Sequence, residues 1–257
     1  MEFIRQNYLL TTTMIAVNSN TGTAANLFTR DPYYQYYSDG LNNDSTTCSI
    51  TVTFDATTSV SRIALLDTNF KGFRFFYNGA TANSFSLTNA DTTTSIYSAN
   101  TDENKYFKFA TLAVSSITFE CQSTQLANQE KRLGLLVLSD LNISLSKIPS
   151  AQQYKPRRVP KQVVHKLSDG GTRINTVRRK FETSFSLDYI DDTEKDLLYD
   201  LWYTDAPFNF VALGTSTGWS GILFECVWDG SFDFDEYSDN AVSAGFSGKI
   251  SLKETPS

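Results

Sequence analysis

Apolar and polar residues begin to alternate at Cys48. Over Cys48–Phe54 every second residue is apolar and the residues between are Ser or Thr. A period of two places one set of side chains on each face of a strand, so the run predicts a strand with one buried face. A turn is expected at Asp55–Ser59. The next strand, Val60–Leu66, is apolar on both faces in its second half, as a central strand would be.

Further strand patterns follow, with turn signals between them. They are Phe73–Tyr77, Tyr106–Leu112, Ser116–Cys121 and Leu133–Leu138. The pair Asn78-Gly79, directly after the first of these runs, is favoured in two-residue hairpin turns. Short strands with frequent turns predict a β-sandwich or jelly roll for this part of the chain.

The pattern changes after Ser150, where two prolines and several basic residues interrupt any regular spacing. This composition is typical of an ordered linker. At 257 residues the chain is long enough for two modules that each bury a core. We therefore place a first domain at residues 1–150, a basic linker at 151–161 and a second domain at 162–257.

The second domain is predicted to combine long strands with one helix. A hairpin turning at Ser168–Gly171 leads into a strand that ends at Ile190. Asp191 or Asp192 is a suitable N-cap for the helix that follows. The helix pattern consists of Leu197, Leu198, Leu201 and Trp202. A second hairpin, at Asp229-Gly230, and a last strand over Val242–Leu252 complete an all-β chain with one flanking α-helix.

Charge is distributed unevenly along the second domain. The formal net charge of the chain is −6, yet basic residues dominate between Lys155 and Lys180 and acidic residues dominate after Phe181. Opposite charges at two ends of one domain favour a charge-matched protein contact, with nucleic-acid phosphates as the alternative partner. We predict an oligomer interface at Arg157, Arg158, Arg173, Arg178 and Arg179.

Cysteine usage and targeting signals agree with an intracellular origin. Cys48, Cys121 and Cys226 are widely spaced in strand patterns, so we interpret them as reduced core residues. The N-terminus has neither the basic start nor the apolar run of a signal peptide, and no stretch approaches the roughly 20 apolar residues of a membrane span. We expect a soluble protein without membrane insertion, made in a cytoplasm.

The residue types needed for catalysis are scarce. His165 is the one histidine, and the sequence contains no phosphate-binding glycine loop, Cys-x-x-Cys pair or zinc-protease helix. Asp233 and Asp235 share a strand face, a spacing compatible with acid and base catalysis in a glycosidase. Because they alternate with Phe232 and Phe234, a solvated acidic face is the favoured interpretation. We predict that the protein is not an enzyme.

Two loop features suggest ligands. Tyr33, Tyr34, Tyr36 and Tyr37 form a dense aromatic group; at least two are expected to pack inward, and Tyr36 and Tyr37 are our candidates for stacking on a sugar. The segment Asp39–Ser45 offers oxygen ligands for Ca²⁺ from Asp39, Asn42 and Asp44, although such loops are more often plain turns. No other cofactor is expected.

The first domain resembles the discoidin-like, or galactose-binding-like, jelly roll over about residues 24–145. The resemblance rests on Ser61–Phe73, on Tyr77–Gly79, and on Tyr37-Ser38 ahead of Val60–Ile63, with Tyr in place of the usual Trp. This motif belongs to the core of the fold, so the resemblance implies the fold but no sugar ligand.

The second domain resembles the tail-tube fold of phage tails. The resemblance rests on Phe181–Tyr189, the helix Asp192–Trp202, Pro207–Phe210, Trp219–Trp228 and Gly245–Ile250. In that family subunits form hexameric rings, and a long hairpin reaches a neighbour. Distal tail and baseplate proteins combine such a ring domain with a peripheral β-domain, although typical distal tail proteins have the ring domain first.

The two resemblances together imply a structural component of a bacteriophage tail, in the tail tube or the distal tail and baseplate. The expected partners are copies of the same chain in a hexameric ring, other tail proteins and a host surface glycan. Nucleic acid would only pass through the channel. The protein would be part of the virion, assembled in the bacterial host cytoplasm. The alternative is a carbohydrate-binding module that recognises a cell-surface glycan.

Overall fold

A computed structural model of the chain describes residues 1–4, 7–9, 11–29, 34–84, 96–140, 143–146, 149, 154, 156–166, 171–211, 223–236 and 245–255. For residues 12, 80–84, 96, 161–163 and 174–179 the description covers the backbone.

The secondary structure consists mainly of strands, as predicted. Two short 3₁₀ segments lie at Thr12–Met14 and Thr21–Leu27, and one α-helix, α1, spans Asp192–Tyr203. The strands in chain order are β1 (Glu2–Ile4), β2 (Ile15–Val17), β3 (Tyr36–Tyr37), β4 (Cys48–Leu66), β5 (Phe70–Tyr77), β6 (Ala80–Ser84), β7 (Ile96–Tyr97), β8 (Lys105–Thr124), β9 (Arg132–Leu133), β10 (Leu135–Ser139), β11 (Ile143–Ser144), β12 (Arg157–Lys166), β13 (Thr172–Ile190), β14 (Phe208–Val211), β15 (Leu223–Trp228), β16 (Phe234–Glu236) and β17 (Phe246–Glu254).

The chain divides into two compact units. The first, which we call the jelly-roll unit, contains β2 to β10. The second, which we call the sheet unit, contains β1 together with β11 to β17 and α1. The expectation of an all-β chain with one flanking α-helix is confirmed.

The jelly-roll unit is organised around two long strands, β4 and β8. The first half of β4 pairs with β2 and with the second half of β8, whereas its second half pairs with β10 and with the first half of β8. Register shifts between Thr53 and Thr58, and between Val60 and Arg62, separate the halves. The predicted turn at Asp55–Ser59 is wrong, because the strand continues through it with an irregularity of pairing, which increases local twist and bending.

The two halves of β4 and β8 share one hydrophobic core. Ile50 and Phe119 from one half and Ile63 and Phe107 from the other belong to the same buried cluster. The residues of Val60–Leu66 are buried on both faces, as the sequence predicted. Four phenylalanines, Phe70, Phe73, Phe75 and Phe119, lie within 5.0–6.5 Å of one another in several pairs. Aromatic burial therefore supplies much of this core.

The hairpin from β5 to β6 turns at Asn78 and Gly79, as predicted. Both residues have positive φ, 54° and 70°. Such angles at both central positions are those of a type I′ turn, whose twist matches that of the flanking strands. The Asn78 side chain also accepts hydrogen bonds from the backbone N–H and the hydroxyl of Ser115.

The sheet unit is built on one sheet with strand order β11-β1-β14-β15-β17-β13-β12, and β16 pairs with β17. The placement of β1 corrects the predicted domain at residues 1–150, because this strand belongs to the sheet unit. Phe3 is fully buried there, with its ring 5.7 Å from that of Phe208 and 5.3 Å from that of Phe210. The first residues of the chain thus join a sheet formed mainly from its second half.

The predicted linker at residues 151–161 is also corrected. Strand β12 starts at Arg157 and pairs with β13 through Lys166. Pro160 lies within this strand, which is the edge strand of its sheet, a position that tolerates proline. The predicted turn at Ser168–Gly171 and the start of the predicted strand at Val242 lie outside the described residues.

Helix α1 begins at the predicted cap. The side chain of Asp191 accepts a hydrogen bond of 2.8 Å from the backbone N–H of Glu194, and Leu198 and Leu201 are buried. Glu194 itself is buried and accepts hydrogen bonds from the backbone and hydroxyl of Ser146. Among the described residues, no helix is long and apolar enough to cross a membrane.

The three thiols are expected to be unreactive in the folded protein. All three are buried and none forms a disulfide, and burial raises the pKa of the Cys48 and Cys121 thiols. Because the thiolate is the reactive form, a disulfide exchange reagent should label none of them rapidly at pH 8 in native buffer and all of them in concentrated guanidinium chloride. Fast labelling of a thiol in the native protein would contradict the described core.

Candidate functional site

The tyrosine group lies on β3 and the segment before it. Strand β3 pairs with β9, and its alternation turns Tyr36 inward and Tyr37 outward. Tyr36 is 0% exposed; its hydroxyl donates to the carbonyl oxygen of Ser19 at 2.9 Å and lies 3.3 Å from Cys48 Sγ. Tyr36 is therefore a core residue and does not present its ring to a sugar, which corrects that candidate.

Two tyrosines of the group are accessible. Tyr37 is 45% exposed and Tyr34 is 62% exposed. Tyr33 lies outside the described residues. Of the two residues proposed to stack on a glycan, Tyr37 alone has an exposed ring. Tyr34, three residues earlier in the sequence, has a further exposed ring.

The predicted calcium loop contacts the ammonium group of a lysine side chain, Lys131. Lys131 is fully buried, and its ammonium donates to the carbonyl oxygens of Leu41 and Asn43. A buried ammonium is repelled by a divalent cation placed beside it. Among the described residues, no group of three or more His, Cys, Asp or Glu side chains is placed to hold a metal ion. Calcium binding at Asp39, Asn42 and Asp44 stays a prediction, and Lys131 argues against it.

The carboxylate of Asp44 connects the loop to the end of β8. It accepts hydrogen bonds from the backbone N–H and hydroxyl of Thr124, at 3.2 and 3.1 Å, and from the backbone N–H of Asn128 at 3.2 Å. Desolvation alone would raise the pKa of Asp44, but these hydrogen bonds and the charge of Lys131 together lower it. Asp44 therefore closes the loop as an anion.

An open cleft of about 370 Å³ lies on the same unit. Gly72, Phe73 and Arg74 of β5 form one side of it. The other lining residues are Thr47, Tyr97, Ser98, Glu120, Gln122 and Ser123. A Cβ added at Gly72 would lie 2.5 Å from the hydroxyl oxygen of Ser123, so this hydroxyl would have to move.

The cleft combines one ion pair with one aromatic stack. Arg74 Nε donates to Glu120 Oε2 at 2.5 Å, and the side chains of Arg74 and Glu120 are 42% and 22% exposed. The rings of Phe73 and Tyr97 stack with centroids 4.8 Å apart and planes 13° apart. Charged and amide groups next to a flat aromatic surface suit a polar ligand with hydroxyl groups.

Sequence reasoning did not identify this cleft. Its residues come mainly from β5, β7 and β8, which the topology brings together. One signal was available: Arg74 is a charged residue between Phe73 and Phe75 in an otherwise apolar run. A charge at such a position requires a partner, which Glu120 provides across the sheet.

The sheet unit carries a two-stranded extension, which we call the arm and define as residues 157–182 of β12 and β13. Strand β13 pairs with β17 from Glu182 to Ile190 and with β12 from Thr172 to Glu182. Glu182 is the one residue of β13 paired on both sides in the described register, and there Arg157 forms a salt bridge with it at 2.9 Å. Beyond Glu182 the arm leaves the sheet as a ribbon.

All five arginines predicted at an interface lie on the arm. Arg157, Arg158 and Arg173 are exposed, whereas the side chains of Arg178 and Arg179 lie outside the described atoms. In the register Lys161 is opposite Arg178 and His165 is opposite Arg173. The arm also carries an exposed apolar residue, Val164, at 55% exposure.

The other chemical candidates are on the surface. His165 is exposed on the arm. Asp233 and Asp235, considered for glycosidase chemistry, are both exposed, and Asp233 accepts a hydrogen bond from Ser231.

No protein-family model and no curated protein matches this chain. Several solved structures are similar to part of the chain, including these three. A chitosan-binding module of a chitosanase/glucanase from Paenibacillus sp. IK-5 is 14% identical, covering 52% of this chain and 98% of that one, with a TM-score of 0.41. A CBM32 module produced by Clostridium perfringens is 12% identical, covering 52% and 99%, with a TM-score of 0.38.

The third is a pectin-binding carbohydrate-binding module, 14% identical, covering 56% of this chain and 96% of that one, with a TM-score of 0.37. The three structures are thus carbohydrate-binding modules by name. Their identities and TM-scores are too low to assign a ligand to this chain.

We expect the Asp44→Asn variant to lose less stability in acid than the wild type. A carboxyl whose pKa is lowered by folding stabilises the folded state above its ordinary pKa of 3.8, and this contribution disappears as the pH falls through the lowered value. Urea unfolding between about pH 2 and pH 6 should give a flatter curve for Asp44→Asn. The matched control is Asp39→Asn, which removes one carboxylate from the same loop and leaves the hydrogen bonds of Asp44 in place. Parallel curves for Asp44→Asn and the wild type would contradict the assignment.

Proposed function

We propose that this chain is a structural assembly protein whose arm binds neighbouring copies, with the jelly-roll unit as its peripheral binding unit. The observation that carries the proposal is the arm itself. It continues β12 and β13 past the end of the sheet, where from Thr172 to Lys180 the described pairing of β13 is with β12 alone.

Physical chemistry favours a partner for such an arm. A two-stranded ribbon is marginally stable at best in water, because it has no hydrophobic face to bury. Like charges placed directly opposite one another weaken it further, as at Lys161 and Arg178. Open strand edges with exposed Arg and Val side chains are well suited to pairing with another chain.

We propose a phage tail as the setting, in the tail tube or the distal tail and baseplate, which would place the protein in the virion. The order of elements supports this proposal: a long hairpin, the helix α1 and a closing strand β17. The predicted hairpin at Asp229-Gly230 is wrong, because β15 and β16, on either side of Gly230, each pair with β17. By resemblance to the tail-tube fold, six subunits would form a ring, which would assemble together with other tail proteins. The ring would surround a channel through which nucleic acid passes.

Shortening the arm should prevent assembly without unfolding the protein. In the register Gln162 is opposite Thr176, so an Asn-Gly turn replacing residues 163–175 joins two paired positions with a favoured hairpin turn. We expect the full chain to form rings in negative-stain electron microscopy and the shortened chain to sediment as a monomer with an unchanged melting temperature. Salt should weaken the wild-type assembly.

The control for this experiment is Lys71→Glu, a charge reversal at an exposed residue of the jelly-roll unit, which should assemble normally. A full chain that stays monomeric at high concentration, or a shortened chain that still assembles, would refute the proposal.

A second function, glycan binding by the jelly-roll unit, is favoured by the cleft beside Arg74. The guanidinium, carboxylate and amide groups of Arg74, Glu120 and Gln122 can make paired hydrogen bonds to neighbouring sugar hydroxyls. The Phe73–Tyr97 stack gives the cleft an apolar wall. This function is compatible with assembly, because cleft and arm belong to different units.

Glycan arrays can test whether a sugar binds in the cleft or on the exposed ring of Tyr37. If the cleft binds the sugar, Arg74→Ala and Gln122→Ala should each reduce binding at least tenfold, whereas Tyr37→Ala should leave it unchanged. The opposite result would assign the glycan to Tyr37. Thermal unfolding of each variant must match the wild type, and no binding across a broad array would remove the glycan function.

A further inference from the structure

Helix α1 presents an aromatic and acidic surface, which we call the helix patch. Tyr199 and Tyr203 are 43% and 72% exposed, and their rings stack with centroids 5.9 Å apart. The centroid of the Tyr199 ring also lies 5.6 Å from that of Trp202 and 5.3 Å from that of Phe232, which it meets edge-on. The patch therefore extends from α1 onto the segment before β16.

The exposed face of α1 carries carboxylates beside these rings. Asp192 and Asp196 have side chains that are 78% and 76% exposed, and Asp200 is exposed as well. Lys195 is held against these acids and lies 3.8 Å from the centre of the Phe246 ring. The helix face is thus negative, with two tyrosine rings at its C-terminal end.

Indole groups fix the rest of the patch. Trp202 Nε1 donates to the carbonyl oxygen of Gly230 at 3.1 Å, and the ring of Trp228 lies 5.7 Å from that of Phe232. These contacts hold the tyrosine side of α1 against the turn at Gly230. Exposed Tyr and Trp rings held in a preformed arrangement are typical of the residues that dominate protein interfaces.

We propose that the helix patch receives the tip of the arm from a second copy of this chain, an inference that rests on the proposed assembly function. The tip carries Lys166, Arg173 and Val164, all exposed. Arginine stacks on aromatic rings and pairs with carboxylates, and the patch offers both groups side by side.

The arm of the same chain does not reach this patch. The tip lies at Thr172, and α1 follows Ile190 at the other end of β13, about 60 Å of strand away at roughly 3.3 Å per residue. Helix α1 is about 18 Å long at 1.5 Å per residue, so it cannot span the remaining distance. The basic tip and the acidic patch are therefore available to different copies.

A contact between different surfaces of two identical chains is heterologous, and it repeats from copy to copy. If the rotation closes, the product is a ring; if it does not, the product is a filament. The placement of the tip and the patch at opposite ends of β13 suits such a head-to-tail contact. It also explains why basic and acidic residues separate along this part of the sequence.

The test uses two full-length variants. The tip variant carries Lys166→Glu and Arg173→Glu, and the patch variant carries Asp196→Arg and Tyr203→Ala. Each should weaken self-association at least tenfold, as measured by sedimentation and native mass spectrometry, with the wild-type melting temperature. Lys71→Glu serves again as the control and should assemble as the wild type does.

Mixing the variants gives the decisive result. The tip variant keeps an intact patch and the patch variant keeps an intact tip, so a 1:1 mixture should form dimers that stop at two subunits. Assembly that needs the tip but is unaffected by the patch variant would overturn this inference while leaving the proposed function intact. A patch that binds a glycan and has no effect on association would overturn it as well. Loss of assembly in neither variant would count against both.

Discussion

Strand β13 pairs with different strands along its two halves, and the properties of the sheet unit depend on this division. From Glu182 to Ile190 it is an inner strand that contributes Phe185 and Leu187 to a buried core. From Thr172 to Glu182 it pairs with β12 and forms the arm. Since backbone N–H and C=O groups require partners, a strand that leaves its sheet remains open to further pairing. One continuous segment thus both stabilises the unit and exposes an open strand edge.

The jelly-roll unit encloses its core with two long strands, β4 and β8. Irregular pairing in β4 and β8 divides each into halves that share the same aromatic cluster. Polar side chains in the loops of this unit make hydrogen bonds within the chain. Lys131 donates to two loop carbonyl oxygens, and Asp44 accepts three hydrogen bonds. The cleft beside Arg74 differs, because its paired charges lie at a surface with room for a ligand.

The two units expose several chemically distinct surfaces. One unit offers a basic arm and an acidic, aromatic helix face, and the other offers an exposed Tyr37 and a polar cleft. Tyr, Trp and Arg side chains suit contacts with proteins and with glycans alike. They provide contact area and directed hydrogen bonds at little entropic cost.

The sequence by itself determined the strand-rich class, the helix with its Asp191 cap, the Asn78-Gly79 turn and the separation of basic from acidic residues. These are local properties, set by periodicity, capping and turn chemistry within a few residues. Tertiary structure decided the rest. It placed Phe3 in the sheet of the other unit, turned Tyr36 inward, made residues 157–161 part of a strand and brought Arg74 to Glu120. Each of these depends on pairing between residues far apart in the chain, because one neighbouring strand decides which face of a short segment is buried.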